Sequence, residues 1–105
     1  ADKMEALKLK NVITGEETIY KADGLFIFIG HTPNTGMFKG QLEMSDLGYI
    51  KINDKMETSV PGVFAAGEAA DPHFRQVVTS AGMGAAAAIQ ATRFLEAEES
   101  SVIVE

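Results

Sequence analysis

The sequence predicts an α/β fold, and three patterns along its 105 residues support this prediction. Two short apolar runs, LFIFI at residues 25–29 and VFAA at residues 63–66, are typical of strands covered on both faces of a sheet. Between residues 74 and 97, apolar side chains recur every three or four positions, as along one face of a helix. Residues 7–24 alternate apolar and polar side chains around Gly15, which predicts a β-hairpin.

The predicted elements follow one another along the chain. The hairpin comes first, and three of its apolar side chains are expected to point inward: Leu7, Leu9 and Ile19. After the first apolar run, residues 31–48 form a long connection interrupted by proline and glycine, and such connections usually cover a functional site. Residues 48–53, GYIKIN, predict a short alternating strand, and a Pro-Gly turn then leads into VFAA and the long C-terminal helix.

The sequence predicts more buried strands than its helices can cover. Two strands buried on both faces need cover on either side, yet the sequence contains one clear helix. We therefore expect either that the chain dimerises and buries this surface or that further segments of a longer polypeptide cover it.

The charge and composition exclude several functions. Nine basic residues stand against 15 acidic ones, a net charge of −6, so neither nucleic acid nor an anionic membrane is an expected partner. The longest apolar run has five residues, far fewer than the roughly 20 needed to span a bilayer, so we expect a soluble, cytoplasmic protein. Cysteine is absent, which excludes a disulfide, a thiolate metal site and a thiol nucleophile from this chain.

The histidines and serines do not predict catalysis. His31 and His73 lie far apart in the sequence without the spacing of metal ligands, so no metal site is predicted. Ser80 lacks the context of a nucleophilic serine and is interpreted as part of a helix wall. We therefore predict no catalytic residue in this chain.

Gly67 and Glu68 directly follow the second apolar run. In α/β folds, ligands bind beyond the carboxyl ends of the strands, and a carboxylate there can accept hydrogen bonds from ribose or ribityl hydroxyls. Glycine at the preceding position lets the backbone approach a ligand closely. The alternative is that Gly67 only turns the chain and that Glu68 is solvated.

The start of the helix contains a second group of candidates. Asp71 is predicted to accept hydrogen bonds from the free N–H groups at the helix entry. Arg75 and Gln76 are placed in the first turn, where a cation is disfavoured by the helix dipole. This position favours an electron-rich ligand near Arg75, and a solvent-facing Arg75 is the alternative. Further along, Gly82 and Gly84 predict close packing of the helix, because each glycine costs roughly 1 kcal/mol relative to alanine.

Three blocks of sequence, in order, carry a family resemblance. GHTPNT at residues 30–35, PGVFAAGE at 61–68 and RQVVTSAGMGAAAA at 75–88 resemble the C-terminal part of bacterial-type thioredoxin reductases, FAD-dependent pyridine nucleotide-disulfide oxidoreductases. The resemblance implies a partial FAD/NAD(P)-binding fold of the ββα type. It implies that residues 1–30 end the NADPH-binding domain with its return strand. Residues 31–105 would form the C-terminal half of the FAD-binding domain.

The resemblance also implies roles for five residues. Gly67 and Glu68 match the family's Gly-Asp pair, whose carboxylate binds a ribityl hydroxyl of FAD. Arg75, Gln76 and Val77 match an Arg-Gln-Ala segment at a helix start, where backbone N–H groups approach the pyrimidine side of the isoalloxazine. A helix N-terminus would favour the negative charge that develops on the flavin.

For the intact enzyme, the resemblance implies a homodimer in which electrons pass from NADPH through FAD to thioredoxin or a similar disulfide protein. Glu68 stands where the family has Asp, and its extra methylene moves the carboxylate by about 1 Å or more. The dinucleotide fingerprints and the family's Cys-x-x-Cys motif are absent. We therefore expect the chain alone to be inactive in disulfide reduction.

Two alternatives remain open. One is a segment of a ferredoxin-NADP reductase-like relative, a cysteine-free flavoprotein, which the presence or absence of a Cys pair in the missing portion would distinguish. The other is a stand-alone binding or assembly module with a relict flavoprotein fold, which would fold without flavin and dimerise through residues 25–29. A melting transition that flavin does not affect would favour this module.

Overall fold

A computed structural model describes residues 3–102 of the chain. The chain divides between Gly30 and His31 into two compact units. The first unit contains β1 (Ala6–Lys10) and β2 (Glu17–Lys21), and the second contains α1 (Val77–Val102) and two short 3₁₀ helices, Gly36–Phe38 and Gly67–Ala69. Residues 1–2, which belong to the predicted segment 1–30, and residues 103–105, which belong to the predicted segment 31–105, lie outside the described residues.

The predicted hairpin is confirmed in the first unit, where β1 and β2 pair antiparallel. Leu7 lies opposite Tyr20, and Lys8 lies opposite Ile19. Because directly opposed residues share a face of the sheet, Ile19 lies on the face opposite to Leu7 and Leu9. The expectation that all three apolar residues point the same way is therefore wrong, and the side chain of Ile19 is 69% exposed.

Residues 25–29, LFIFI, were expected to form a buried strand, and this prediction is wrong for the first unit. The segment has no regular secondary structure, and its exposure ranges from 54% at Leu25 to 93% at Ile29. A strand needs a neighbour that pairs with its N–H and C=O groups. Among the described residues, β1 and β2 pair only with each other, so residues 25–29 have no strand to join.

The core of the second unit lies between two loop segments. Tyr49, Ile50 and Ala70 are its buried apolar residues, and the N–H of Ile50 donates to the carbonyl of Ala69 at 2.9 Å. Thr35 is also buried, and its hydroxyl donates to the carbonyl of Gly48. The bond of Ile50 attaches residues 48–53 to the segment that precedes α1, and the bond of Thr35 joins the two ends of the long connection.

The two strands predicted in the second unit, at residues 48–53 and 63–66, are each present only as a single β-bridge. Ile50 pairs with Met44, and Phe64 pairs with Glu57. The prediction of a buried strand at residues 63–66 is therefore wrong for the described chain, in which these residues are half-buried or exposed. The physical reason is the same as for LFIFI, because a longer ladder requires a neighbouring strand that the described residues do not provide.

The long helix is confirmed, with α1 starting at Val77 rather than at residue 74. One side of α1 packs on the unit: the Phe94 ring meets Phe64 edge-on, with centroids 6.2 Å apart. A Cβ added to Gly82 or Gly84 would meet nothing within 4 Å. The close packing expected at these two glycines is therefore wrong within the described residues, because both lie outside the packed side of α1.

Candidate functional site

A cavity of about 320 Å³ lies within the second unit. Its walls come from the start of the long connection and from the segment before α1: His31, Thr32, Pro33, Asn34, Tyr49, Glu68, Ala69 and Arg75. Ligand pockets occupy roughly 300–1,000 Å³, so this cavity can hold part of a large ligand. Its walls carry both a carboxylate and a guanidinium.

Gly67 and Glu68 belong to the short 3₁₀ helix Gly67–Ala69. Gly67 is buried with φ of +75°, a conformation that favours glycine. A Cβ at this position would lie 3.4 Å from the Cβ of Ser80 on α1, so the turn and the helix approach closely. The next residue, Glu68, is exposed and lines the cavity.

Asp71 accepts backbone hydrogen bonds in the turn that leads into α1. One carboxylate oxygen, Oδ1, accepts hydrogen bonds from the N–H groups of His73 at 2.9 Å and Phe74 at 3.0 Å. The other, Oδ2, accepts from the N–H of Arg75 at 2.9 Å. These bonds, first that from Phe74 and then that from Arg75, lower the pKa of Asp71 below its ordinary value. Asp71 thus accepts backbone N–H groups as predicted, but these groups belong to the turn before α1 and not to the helix, which starts at Val77.

Arg75 and Gln76 lie before α1, which corrects their predicted place in its first turn. Arg75 is half-buried with φ of +53°, so the chain changes direction there before the helix begins. The carbonyl of Gln76 accepts the N–H of Ser80 at 2.9 Å, and its own N–H donates to Oγ1 of Thr79 at 3.3 Å. Gln76 is thus the capping residue, and the helix-dipole argument that assumed Arg75 within the first turn does not apply.

The structure brings together two of the five residues predicted to bind a cofactor. Glu68 and Arg75 line the same cavity. Gly67, Gln76 and Val77 are their sequence neighbours but do not line it, and Val77 is 89% exposed.

Sequence reasoning did not select the remaining cavity residues. The GHTPNT block and the length of residues 31–48 both pointed to the connection, and they could have selected His31 and Asn34. Tyr49 gave no such signal, because it lies in a short alternating segment that reads as ordinary strand.

A second cavity of about 400 Å³ is mainly apolar. Its lining includes His73, Phe74 and Gly82, so the histidines at 31 and 73 line different cavities. Over residues 3–102, no cluster of three or more His, Cys, Asp or Glu side chains is arranged to hold a metal ion. Within the same range, no helix has both the length and the apolar character required to cross a bilayer.

Comparisons with known proteins identify relatives of this chain. The family model described as pyridine nucleotide-disulphide oxidoreductase matches residues 1–84. Thioredoxin reductase of Chlamydia pneumoniae is 50% identical over 94 residues, which are 88% of this chain and 30% of that protein. Thioredoxin reductase of Streptomyces coelicolor is 47% identical over 96 residues, 90% of this chain and 30% of that protein.

A solved structure is similar as well. The crystal structure of Lactococcus lactis thioredoxin reductase matches with a TM-score of 0.75 and 37% identity, over 86% of this chain and 30% of that one. This likeness confirms the predicted α/β class with a partial FAD/NAD(P)-binding fold. The chain spans about a third of the length of the relatives it matches. Since the family model covers well over half of its residues, the chain belongs to the pyridine nucleotide-disulphide oxidoreductase family.

Proposed function

We propose that this chain is the C-terminal flavin-binding segment of a thioredoxin-reductase-like enzyme, which moves electrons from NADPH through FAD to a protein disulfide. One observation carries the proposal: Glu68 and Arg75, which belong to different sequence blocks, line one cavity. The family membership and the names of the relatives support the same activity.

The residues around the cavity fit a flavin nucleotide. The positive φ of Gly67 and its contact with Ser80 leave the next carboxylate, that of Glu68, on the cavity wall. There, Glu68 would accept a hydrogen bond from a ribityl hydroxyl of FAD. Val77, in the first turn of α1, would supply an N–H group on the pyrimidine side, because the first turn of a helix leaves such groups without intrahelical acceptors. The N–H groups of Arg75 and Gln76 already donate to Asp71 and Thr79, so these two residues would contribute their side chains.

The chemistry divides between cofactor and chain. When bound, FAD supplies the two-electron redox centre that no side chain of this protein offers. The cavity residues bind and orient it, and the absence of cysteine means that the disulfide chemistry belongs to another part of the enzyme.

We assign the two segments of the chain to two domains of the intact enzyme. Residues 1–30 would end the NADPH-binding domain with its return strand, and residues 31–105 would form the C-terminal half of the FAD-binding domain. The division of the chain between Gly30 and His31 supports this assignment.

The proposed partners follow from the same assignment. The disulfide substrate would be thioredoxin or a similar protein, as the names of the relatives indicate. The intact enzyme would be a homodimer, and the exposed apolar residues 25–29 support an assembly that covers them. The cytoplasmic location stays a prediction from the sequence.

Titration of the purified chain with FAD, followed by flavin fluorescence, tests the proposal. We expect saturable binding that weakens roughly tenfold or more in Glu68→Ala, because a hydrogen bond to a carboxylate contributes about 1.5–3 kcal/mol. Glu96→Ala is the matched control, since Glu96 is exposed on α1 and lies outside the cavity. Equal weakening in both variants, or the absence of saturable binding by the folded chain, would contradict the proposed site.

A second measurement concerns activity. We expect no NADPH-dependent disulfide reduction by the pure chain, because it contains no cysteine to exchange with the substrate. Detectable turnover by the 105-residue chain would overturn the assignment of the disulfide chemistry to another part of the enzyme.

A further inference from the structure

Asp71 makes hydrogen bonds to both parts of the candidate site. Its backbone N–H donates to the carbonyl of Gly67 at 2.9 Å, next to Glu68. Its carboxylate accepts the N–H of Arg75 at 2.9 Å, on the other part of the cavity wall. The residue is 5% exposed, and the bonds to its carboxylate are partly buried. One residue therefore connects the two segments whose side chains share the cavity.

The conformation of Arg75 needs such support. Its φ of +53° lies in the left-handed region, which is disfavoured for a residue with a Cβ. The two carboxylate oxygens of Asp71 together accept the N–H groups of three residues in a row: His73, Phe74 and Arg75. These three bonds orient successive peptide groups toward one carboxylate and fix the turn that ends at Arg75.

We infer that Asp71 is the positioning residue of this site, which holds Arg75 in its left-handed conformation and thereby keeps it beside Glu68 on the cavity wall. The inference rests on the proposed function for the identity of the ligand, FAD. The geometry that it assigns to Asp71 concerns the chain alone, so it is testable without a ligand.

Substitution of Asp71 by Asn removes part of its hydrogen bonding while nearly keeping the size of the side chain. The amide has nearly the same shape but leaves only one oxygen as an acceptor, so the bonds at Oδ1 and Oδ2 cannot all be kept. In the ¹⁵N-labelled 105-residue chain, we expect the amide shifts of Glu68 and of residues 75–77 to change in Asp71→Asn. The shifts of α1 beyond Ser80 should stay the same. Asp54→Asn, at an exposed aspartate outside the cavity, is the control and should change neither group.

A second substitution tests the cause. Glycine adopts positive φ readily, so Arg75→Gly in the Asp71→Asn background should return the shifts of Gln76 and Val77 toward their wild-type values. If Asp71 only added stability to the chain, a glycine at position 75 would not restore these shifts. If Asp71→Asn does not fold, recovery of folding in the double variant supports the inference, and its failure to fold overturns it.

FAD titration of the same variants distinguishes this inference from the proposed function. We expect Asp71→Asn to bind FAD at least fivefold more weakly than the wild type, and Asp54→Asn to bind equally. Unchanged shifts at residues 75–77 in Asp71→Asn would overturn the inference whatever the flavin result. Changed shifts with no effect on measurable FAD binding would also overturn it. If the wild-type chain binds no FAD, the proposed function fails while the shift changes still decide the role of Asp71.

Discussion

Gly67 lies directly against Ser80, and a Cβ built on the glycine would come within 3.4 Å of the Cβ of the serine and 3.5 Å of its Oγ. The contact joins the turn that precedes Glu68 to the first turns of α1. Gly67 also has φ of +75°, which a residue with a Cβ adopts at a cost. The positive φ therefore favours glycine here, whereas an added Cβ would make only an ordinary van der Waals contact with Ser80.

Gly67→Ala should destabilise the chain by about 1–2 kcal/mol, the cost of the left-handed conformation. Thermal and urea unfolding monitored by circular dichroism measure this change. Gly36→Ala is the control, because Gly36 has no positive φ and a Cβ there would meet nothing within 4 Å. Because the added methyl would make only an ordinary contact with Ser80, adding Ser80→Gly should not restore the lost stability, and recovery in that double variant would contradict the conformational explanation.

Gly82→Ala should stabilise the chain by up to roughly 1 kcal/mol, because alanine is the better helix former and the added methyl meets no atom within 4 Å. Gly84→Ala should act in the same direction for the same reason. Urea unfolding of each variant provides the measurement. A loss of stability would show that an unrecognised contact lies beside α1.

Phe94→Ala should cost about 2 kcal/mol, less than a fully buried phenylalanine, because its ring is half-buried against Phe64 and Gly62. Its sequence neighbour provides a matched control: Leu95 is 61% exposed, and Leu95→Ala should change the stability by no more than about 0.5 kcal/mol. Equal losses in the two variants would mean that the packed side of α1 has been wrongly identified.

Asp71 should make the stability depend on pH. The N–H groups of Phe74 and Arg75 lower its folded-state pKa below the ordinary value of 3.8, so its contribution is present above 3.8 and disappears as the pH falls through the folded-state pKa. We expect the Tm difference between wild type and Asp71→Asn to be largest near neutral pH and to shrink in acid. His73 adjoins the carboxylate, so His73→Gln is tested in parallel. A Tm difference that stays constant with pH would contradict the role of the ionised carboxylate.

The elements that depend on local sequence could be predicted. The turn at Gly15 and the apolar spacing of α1 each specify their element through neighbouring residues, and both elements are present. The bonds of Asp71 were likewise expected from its position before a helix. Residues 25–29 differ, because a buried strand requires partners distant in sequence, and an apolar run does not say whether those partners are present.

The candidate site was likewise predictable only where local sequence determines it. Glu68 and Arg75 were selected from their places after an apolar run and before a helix, and they line one cavity. Tyr49 joins them because Ile50 is hydrogen-bonded to Ala69, a contact between segments about twenty residues apart in the chain. No local pattern encodes that contact. The late start of α1 was missed because the periodicity of apolar residues does not report the left-handed turn at Arg75.

The exposed LFIFI segment has a consequence for how this chain behaves at high concentration. Five consecutive β-branched, aromatic or leucine side chains, without charge or proline, meet the compositional criteria for a steric zipper. Because each is more than half exposed, copies of the segment can stack into intermolecular cross-β structure. Any segment or partner chain that covers residues 25–29 would therefore also protect this chain against aggregation.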